Sequence, residues 1–242
     1  MKILIAIPAR YASSRFPGKV LSPILDKSMI QWVWEGSMQS KMKDEVLILT
    51  DSEKIKQVVF SFGGEARLVR GDFNNGTERI GAFIEDKDYD IVVNVQGDEP
   101  LIEGKIIDEL LSVFISRIKD ASIATLAEPA SLEEAKSPHV VKVVKDKSGK
   151  ALYFSRSLIP YPGKDGLFLK HIGIYAYTKE AVLSLSRLPP SSLEKTEKLE
   201  QLRALENGYD IMVWETKTHL IGVDVLEDVK QVERILGRRD YV

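Results

Sequence analysis

The stretch "DIVVNVQGDEPLI", Asp90 to Ile102, decides how the chain folds. Ile91, Val92, Val93 and Val95 form an apolar run with no polar alternation, the pattern of a strand covered on both faces in a largely parallel sheet. The run stops at Gln96, and Asp98 follows one glycine later. In open parallel sheets ligands bind beyond the carboxyl ends of the strands, which makes Gln96 and Asp98 candidate site residues. An aspartate there suits a hard cation with oxygen ligands and a phosphate-bearing substrate. Taken alone, Gly-Asp after a strand is more often a turn.

Outward from this strand the same pattern recurs. Residues 2–7 ("KILIAI"), 45–50 ("EVLILT") and 121–127 ("ASIATLA") read as further buried strands. Helical periodicity lies between them at about 29–39, 55–62, 76–84 and 104–118. Thr50 with Glu53, and Ser131 with Glu134, have the spacing of capping boxes. Strand–helix alternation of this kind predicts a sheet with helices on both sides. Beyond residue 138 the pattern changes: 139–146, 150–157 and 168–178 alternate like antiparallel or mixed strands, with a hairpin turn at 145–150. One helix is expected over Glu194–Glu206, with a leucine stripe at 199, 202 and 205, and another over Leu226–Leu236. The expectation is a single domain, 1–242, with an inserted mixed-strand region around 125–215.

Composition excludes several classes of function. The 242 residues carry 34 Lys+Arg against 36 Asp+Glu, so no bulk charge attracts nucleic acid or anionic membrane. No basic stripe with interleaved aromatics appears, and no stretch approaches the roughly 20 apolar residues of a membrane span. There is no cysteine, hence no disulfide, thiolate metal site or thiol nucleophile. A cytoplasmic protein is expected.

Local anion sites remain open. "IPARYASSRFPGK" (7–19) follows the first strand with Arg10, Arg15 and Lys19. It lacks the Walker A and G-x-G-x-x-G spacings, yet turn N–H groups, serines, guanidinium forks and an ammonium can hold phosphates. "NNGTERI" (74–80) opens a helix with Gly76-Thr77, whose free N–H groups can meet an anion. Asp224 ends the short apolar run 220–223 and reads equally as a helix N-cap, with Glu227 three residues on. His171, Gly173 and Tyr175 share one strand face; a lone strand histidine is more often structural. Glu200 and Arg203 have the spacing of an i,i+3 ion pair.

In their order along the chain, "IPARYASSRFPGK", "NGTERI", "VNVQGDEPLI", "VKVV", "HIGIYAY", "LEKTEKLEQLRALENG" and "GVDVLEDV" resemble the 3-deoxy-manno-octulosonate (Kdo) cytidylyltransferase family. The resemblance runs from Lys2 to about Leu236. It implies a three-layer α/β/α sandwich of the nucleotide-diphospho-sugar transferase type, with a mixed, mostly parallel sheet, assembled as a homodimer. The implied reaction joins CTP and Kdo into CMP-Kdo and pyrophosphate with magnesium, for lipopolysaccharide biosynthesis. On that basis Pro8, Ala9, Arg10, Arg15, Lys19, Gly76, Thr77 and Gln96 would bind the nucleotide, with Arg15 and Lys19 also catalytic. Asp98 and Asp224 would hold the metal. Arg79, Gln96, Arg156, His171, Tyr175, Glu200 and Gln201 would shape the sugar-acid site. Two positions depart from the family pattern: Asn75 stands where serine is common, and Val225-Leu226 where Thr-Pro is. Neither removes a charge or a ligand. An enzyme for another acidic sugar, such as a sialic acid or 8-amino-Kdo, and a nucleotide sensor without turnover are the competing readings.

Overall fold

The computed structural model describes residues 1–12, 18–161, 168–223 and 226–239. Its strands are β1 (Ile3–Ala9), β2 (Pro23–Ile24), β3 (Lys27–Ser28), β4 (Glu45–Thr50), β5 (Ala66–Leu68) and β6 (Ile91–Val95), followed by β7 (Ile123–Ala130), β8 (Lys142–Lys145), β9 (Ala151–Ser155), β10 (Phe168–Thr178) and β11 (Ile211–Glu215). The helices are α1 (Met29–Met38), α2 (Glu53–Ser61), α3 (Gly76–Ile84), α4 (Gly104–Ser116), α5 (Leu132–Lys136), α6 (Lys179–Ser186), α7 (Ser192–Glu197), α8 (Gln201–Glu206) and α9 (Leu226–Arg239).

The main sheet runs β11-β7-β10-β6-β1-β4-β5, with β8 and β9 attached beside β10. β6, β1, β4 and β5 are mutually parallel, as are β11 and β7. Only β10 runs against its neighbours along this path, pairing antiparallel with β6 and β7. The sheet is mixed and mostly parallel, as expected.

Alternation along each strand divides the core into two layers. Ile3, Ile5 and Ile7 of β1, with Val93 and Val95 of β6, pack with Ile30 and Val33 of α1 and Leu110 and Phe114 of α4. Leu4 and Ala6 face the other way, with Ile80 and Ile84 of α3, Val182 of α6 and Leu202 of α8. The result is an α/β/α sandwich whose middle strands are buried on both sides.

The structure revises two local readings and bears out a third. Ser52, not Thr50, caps α2: its side chain accepts from the Ile55 N–H, while Thr50 Oγ1 accepts from the Ser52 N–H. Ser131 and Glu134 do form a capping box. The helix expected over 194–206 is two helices, because Lys198 sits at φ 56, ψ 46 and turns the chain between α7 and α8. The leucine stripe begins only at Leu199, after the break, so its periodicity could not show that α7 ends before it.

One contact fixes the loop beyond β6. α1 and α4 approach so closely that a Cβ on Gly36 would lie 2.1 Å from the Ile102 carbonyl oxygen, and one on Gly104 would lie 2.2 Å from Ser40 N. The Asp108 carboxylate of α4 accepts from Ser40 Oγ at 2.5 Å and from the Lys41 N–H at 3.0 Å. Both glycines press on backbone, which cannot swing aside. Gly36→Ala and Gly104→Ala are each expected to destabilise the protein by about 1–3 kcal/mol, read as a lower urea midpoint with an unchanged m-value.

Candidate active site

Two cavities open along the carboxyl ends of β1 and β6. The first, about 670 Å³, is lined by Pro8, Ala9 and Arg10 from the end of β1, by Lys19, by Asn75, Gly76 and Arg79 at α3, and by Gln96 and Asp98. The second, about 620 Å³, lies across β10 and takes Arg156, His171, Tyr175, Gln201 and Val223. Gln96, Asp98, Lys198, Leu199 and Glu200 line both. Two molecules seated in these cavities meet over Asp98.

Asp98 is held by the chain's two ends. Lys19 Nζ donates to Asp98 Oδ2 at 2.5 Å and to the Val223 carbonyl at 2.8 Å, and the Val223 N–H donates to the Asp98 carbonyl at 2.9 Å. The segment entering residue 224 therefore lies against Asp98. Asp224 and Arg15 are outside the described residues. Among those residues no cluster of three or more acidic or histidine side chains forms a metal site. What Asp98 presents is an anionic oxygen at the junction of the cavities, a donor that suits magnesium.

Of the described nucleotide-side candidates, Pro8, Ala9, Arg10, Lys19, Gly76 and Gln96 line the first cavity and Thr77 does not. Asn75 caps α3 by accepting from the Glu78 N–H at 2.9 Å, so it serves where the family commonly has serine. A Cβ on Gly76 would stand 2.7 Å from Pro8 Cγ, so glycine lets the α3 N-terminus close on the end of β1. Beneath it lies Asn94, whose Nδ2 is buried and has no partner among the described residues. Thr77 is the exception. It is buried and donates through Oγ1 to Glu200 Oε1.

Arg79 does not stand with the other sugar-site candidates. It lines the first cavity, and its guanidinium donates to Asp51 at 2.9 Å and to the Val69 carbonyl at 2.7 Å. Those bonds pin the turn before α3. Its charge is engaged there.

The second cavity is floored by neutral polar groups. His171, Tyr175 and Tyr177 follow one another on β10 with ring centroids 5.3 and 5.7 Å apart, and Phe154 of β9 meets His171 edge-on. Burial pushes the His171 imidazolium down to about pKa 3, so the ring is neutral at physiological pH. Thr125 Oγ1 donates to the Ile174 carbonyl at 2.7 Å and lies 3.0 Å from His171 Nε2. With the hydroxyl proton so used, Nε2 is assigned as the N–H and Nδ1 as an acceptor. Burial likewise raises Tyr175 well above the ordinary phenol range. Arg156 supplies the charge: its Nε donates to the Glu197 carbonyl and its Nη1 to the Pro138 carbonyl, both at 3.1 Å.

Sequence reasoning missed two supporting residues. Lys142 is fully buried and its ammonium donates to the carbonyls of Ser137, Val140 and Arg156, shaping one wall of the second cavity. Arg203 forks onto Glu194, with both bonds at 2.7 Å, and reaches Glu78 of α3 at 2.9 Å. The anticipated Glu200–Arg203 pair is replaced by this fork, which frees Glu200 for Thr77.

Residues 4–211 match the cytidylyltransferase family model, which sets the class of this nucleotidyltransferase. A 3-deoxy-manno-octulosonate cytidylyltransferase of Fusobacterium nucleatum is 47% identical over 96% of both chains, and that of Syntrophotalea carbinolica is 46% identical over 96% of this chain and 98% of its own. The structure of a CMP:2-keto-3-deoxy-manno-octonic acid synthetase complexed with CTP superposes with a TM-score of 0.91 at 39% identity, covering 99% of this chain and all of the other. A cytidylyltransferase from Leptospira borgpetersenii, at 19% identity and a TM-score of 0.65, shares the fold. The chain belongs to the 3-deoxy-manno-octulosonate cytidylyltransferase family.

Glu200 generates a pH prediction. Desolvation raises its pKa to about 7, against the opposing pull of the Thr77 bond and the Arg203 charge. A carboxyl raised in the folded state binds more protons than it does unfolded. Its stabilising contribution is complete below the unfolded value of 4.5 and is lost as pH rises through about 7. Relative to Glu200→Gln, wild type is expected to lose thermal stability between about pH 5 and about pH 8, read from melting temperatures of both proteins across that range.

Proposed function

We propose that this chain activates the sugar acid Kdo with CTP, releasing CMP-Kdo and pyrophosphate. The observation that carries the reading is the pair of cavities meeting at Asp98: one is lined by the α3 N-terminus with Arg10, Lys19 and Lys195, the other by neutral His171 and Tyr175 together with Arg156, Lys170 and several carboxylates. A nucleotide sensor needs no second cavity. The reaction begins with the anomeric hydroxyl oxygen of Kdo attacking the α-phosphorus of CTP; that P–O bond forms as the bond to the pyrophosphate leaving group breaks, and the hydroxyl proton is lost to solvent.

The physical obstacle is charge. Two unit charges of like sign at 4 Å repel by about 4 kcal/mol at an effective dielectric near 20. Arg10, Lys19 and the α3 N-terminus meet the triphosphate on one side. Arg156 meets the carboxylate on the other, and neutral His171 and Tyr175 orient hydroxyls without adding charge. No covalent enzyme intermediate is required. Catalysis is positioning and electrostatic stabilisation.

Asp98, with Asp224, would hold magnesium. When bound, the ion supplies Lewis-acid polarisation of the phosphate and hydroxyl oxygens. Lys19 holds the Asp98 carboxylate in place. In this reading the enzyme works in the cytoplasm, its product serves lipopolysaccharide assembly, and a homodimer forms over the region carrying exposed Leu152 and Tyr161. Among the described residues no helix is long and apolar enough to cross a membrane.

Pyrophosphate release with CTP and a panel of keto-sugar acids tests the proposal. Kdo is expected to be the preferred acid, and Asp98→Asn is expected to lower kcat by about 100-fold or more while leaving the melting curve nearly unchanged. Release with no acid in the panel, despite tight CTP binding, would favour the sensor.

A further inference from the structure

The break between α7 and α8 carries a residue that neither the motifs nor the relatives' names assign. Lys198 adopts φ 56, ψ 46, the left-handed conformation that helix ends ordinarily give to glycine or asparagine. Its neighbours on both sides are anchored. The Glu197 carboxylate accepts from Ser155 Oγ at 2.6 Å and from the Arg156 N–H at 2.9 Å, while Leu199 is buried. Lys198 itself is exposed, and its ammonium has no hydrogen bond or ion pair among the described residues.

Its position explains why a lysine would be kept where glycine is easier. Arg10, Lys19, Arg79 and Lys195 line the first cavity; Arg156 and Lys170 line the second. Lys198 is the one Lys or Arg among the described residues that lines both. Arg79 is engaged with Asp51 and Lys170 with Glu128 at 2.8 Å, so those charges are already committed within the protein, and Lys19 is shared with Asp98. A residue strained at a site boundary, with an uncommitted charge, has the features of a functional position.

We propose that Lys198 is a further substrate-contacting residue, whose ammonium binds anionic oxygens at the boundary and offsets the repulsion between the two substrates once both cavities are filled. The inference rests on the two-anion reading above. It places the effect in the ternary complex, where the repulsion arises, and not in the binding of either substrate alone. It also makes the effect electrostatic and partly solvent-exposed, hence sensitive to salt.

Lys198→Asn separates charge from backbone, because asparagine tolerates the left-handed region. Expected at low salt is a fall in kcat of about tenfold, with each KM, measured at saturating partner substrate, changing by less than about threefold. The wild-type advantage should shrink at about 0.5 M KCl, where the screening length is a few ångströms. Lys198→Arg should keep most of the activity, and Lys198→Asn should melt at or above the wild-type temperature. Wild-type kcat in Lys198→Asn, or equal losses in the Asn and Arg variants, would overturn the proposal. The failure of the substrate reading looks different: wild type would then turn over a different acid from the panel, and the same comparison is made with that acid.

Discussion

The rest of the site depends on one clamp. The Lys19 ammonium bonds the Asp98 carboxylate and the Val223 carbonyl, while the Val223 N–H returns to the Asp98 carbonyl. Three segments separated by as many as 204 positions are joined around one acidic group. Asp98 lines both cavities, so its carboxylate must be held against displacement by whatever fills them. A lysine at 2.5 Å holds it, and the Val223 pairing fixes where the segment leading to residue 224 must run. The orientation of the nucleotide side, the sugar side and the C-terminal segment all follow from that arrangement.

Around this charged centre the protein places groups that burial keeps neutral. His171 is depressed to about pKa 3 and Tyr175 is raised, both by desolvation, while Glu200 rises to about 7. Desolvation is the largest cause in each, so His171 and Tyr175 act as neutral hydrogen-bonding dipoles while Glu200 titrates near neutrality. That suits a polyhydroxylated ligand, whose hydroxyls need both donors and acceptors. Arg156 adds a cation to the same wall, its position set by the carbonyls of Glu197 and Pro138.

Much of the fold was legible because its signals are local. Continuous apolar runs marked β1, β4 and β6, and the capping spacing at Ser131 located α5. The end of β6 was legible as a site because sheet topology alone makes it one. What escaped depends on contacts distant in sequence. The leucines at 199, 202 and 205 are periodic whether or not the helix is continuous, and the break at Lys198 is stabilised by Glu197 reaching β9. Arg79 carried no sequence signal that Asp51 and Val69 would occupy it, nor Thr77 that it would turn to Glu200. β5 and β11 are short, and pairing with longer neighbours defines them. Arg15 and Asp224 were read from motif alone.

The interlock of Gly36 with Ile102 and of Gly104 with Ser40 has a consequence for how such an enzyme diversifies. It welds α1 to α4 and leaves the loop of Asp98 backed by a wall with no spare volume. The opposite wall, made from β8, β9 and the α7–α8 turn, is knit by side chains reaching carbonyls, contacts that exchange one residue at a time. Descendants of such a scaffold can therefore drift in the acid they accept while the half that grips the nucleotide stays frozen, because only one of the two walls has anywhere to go.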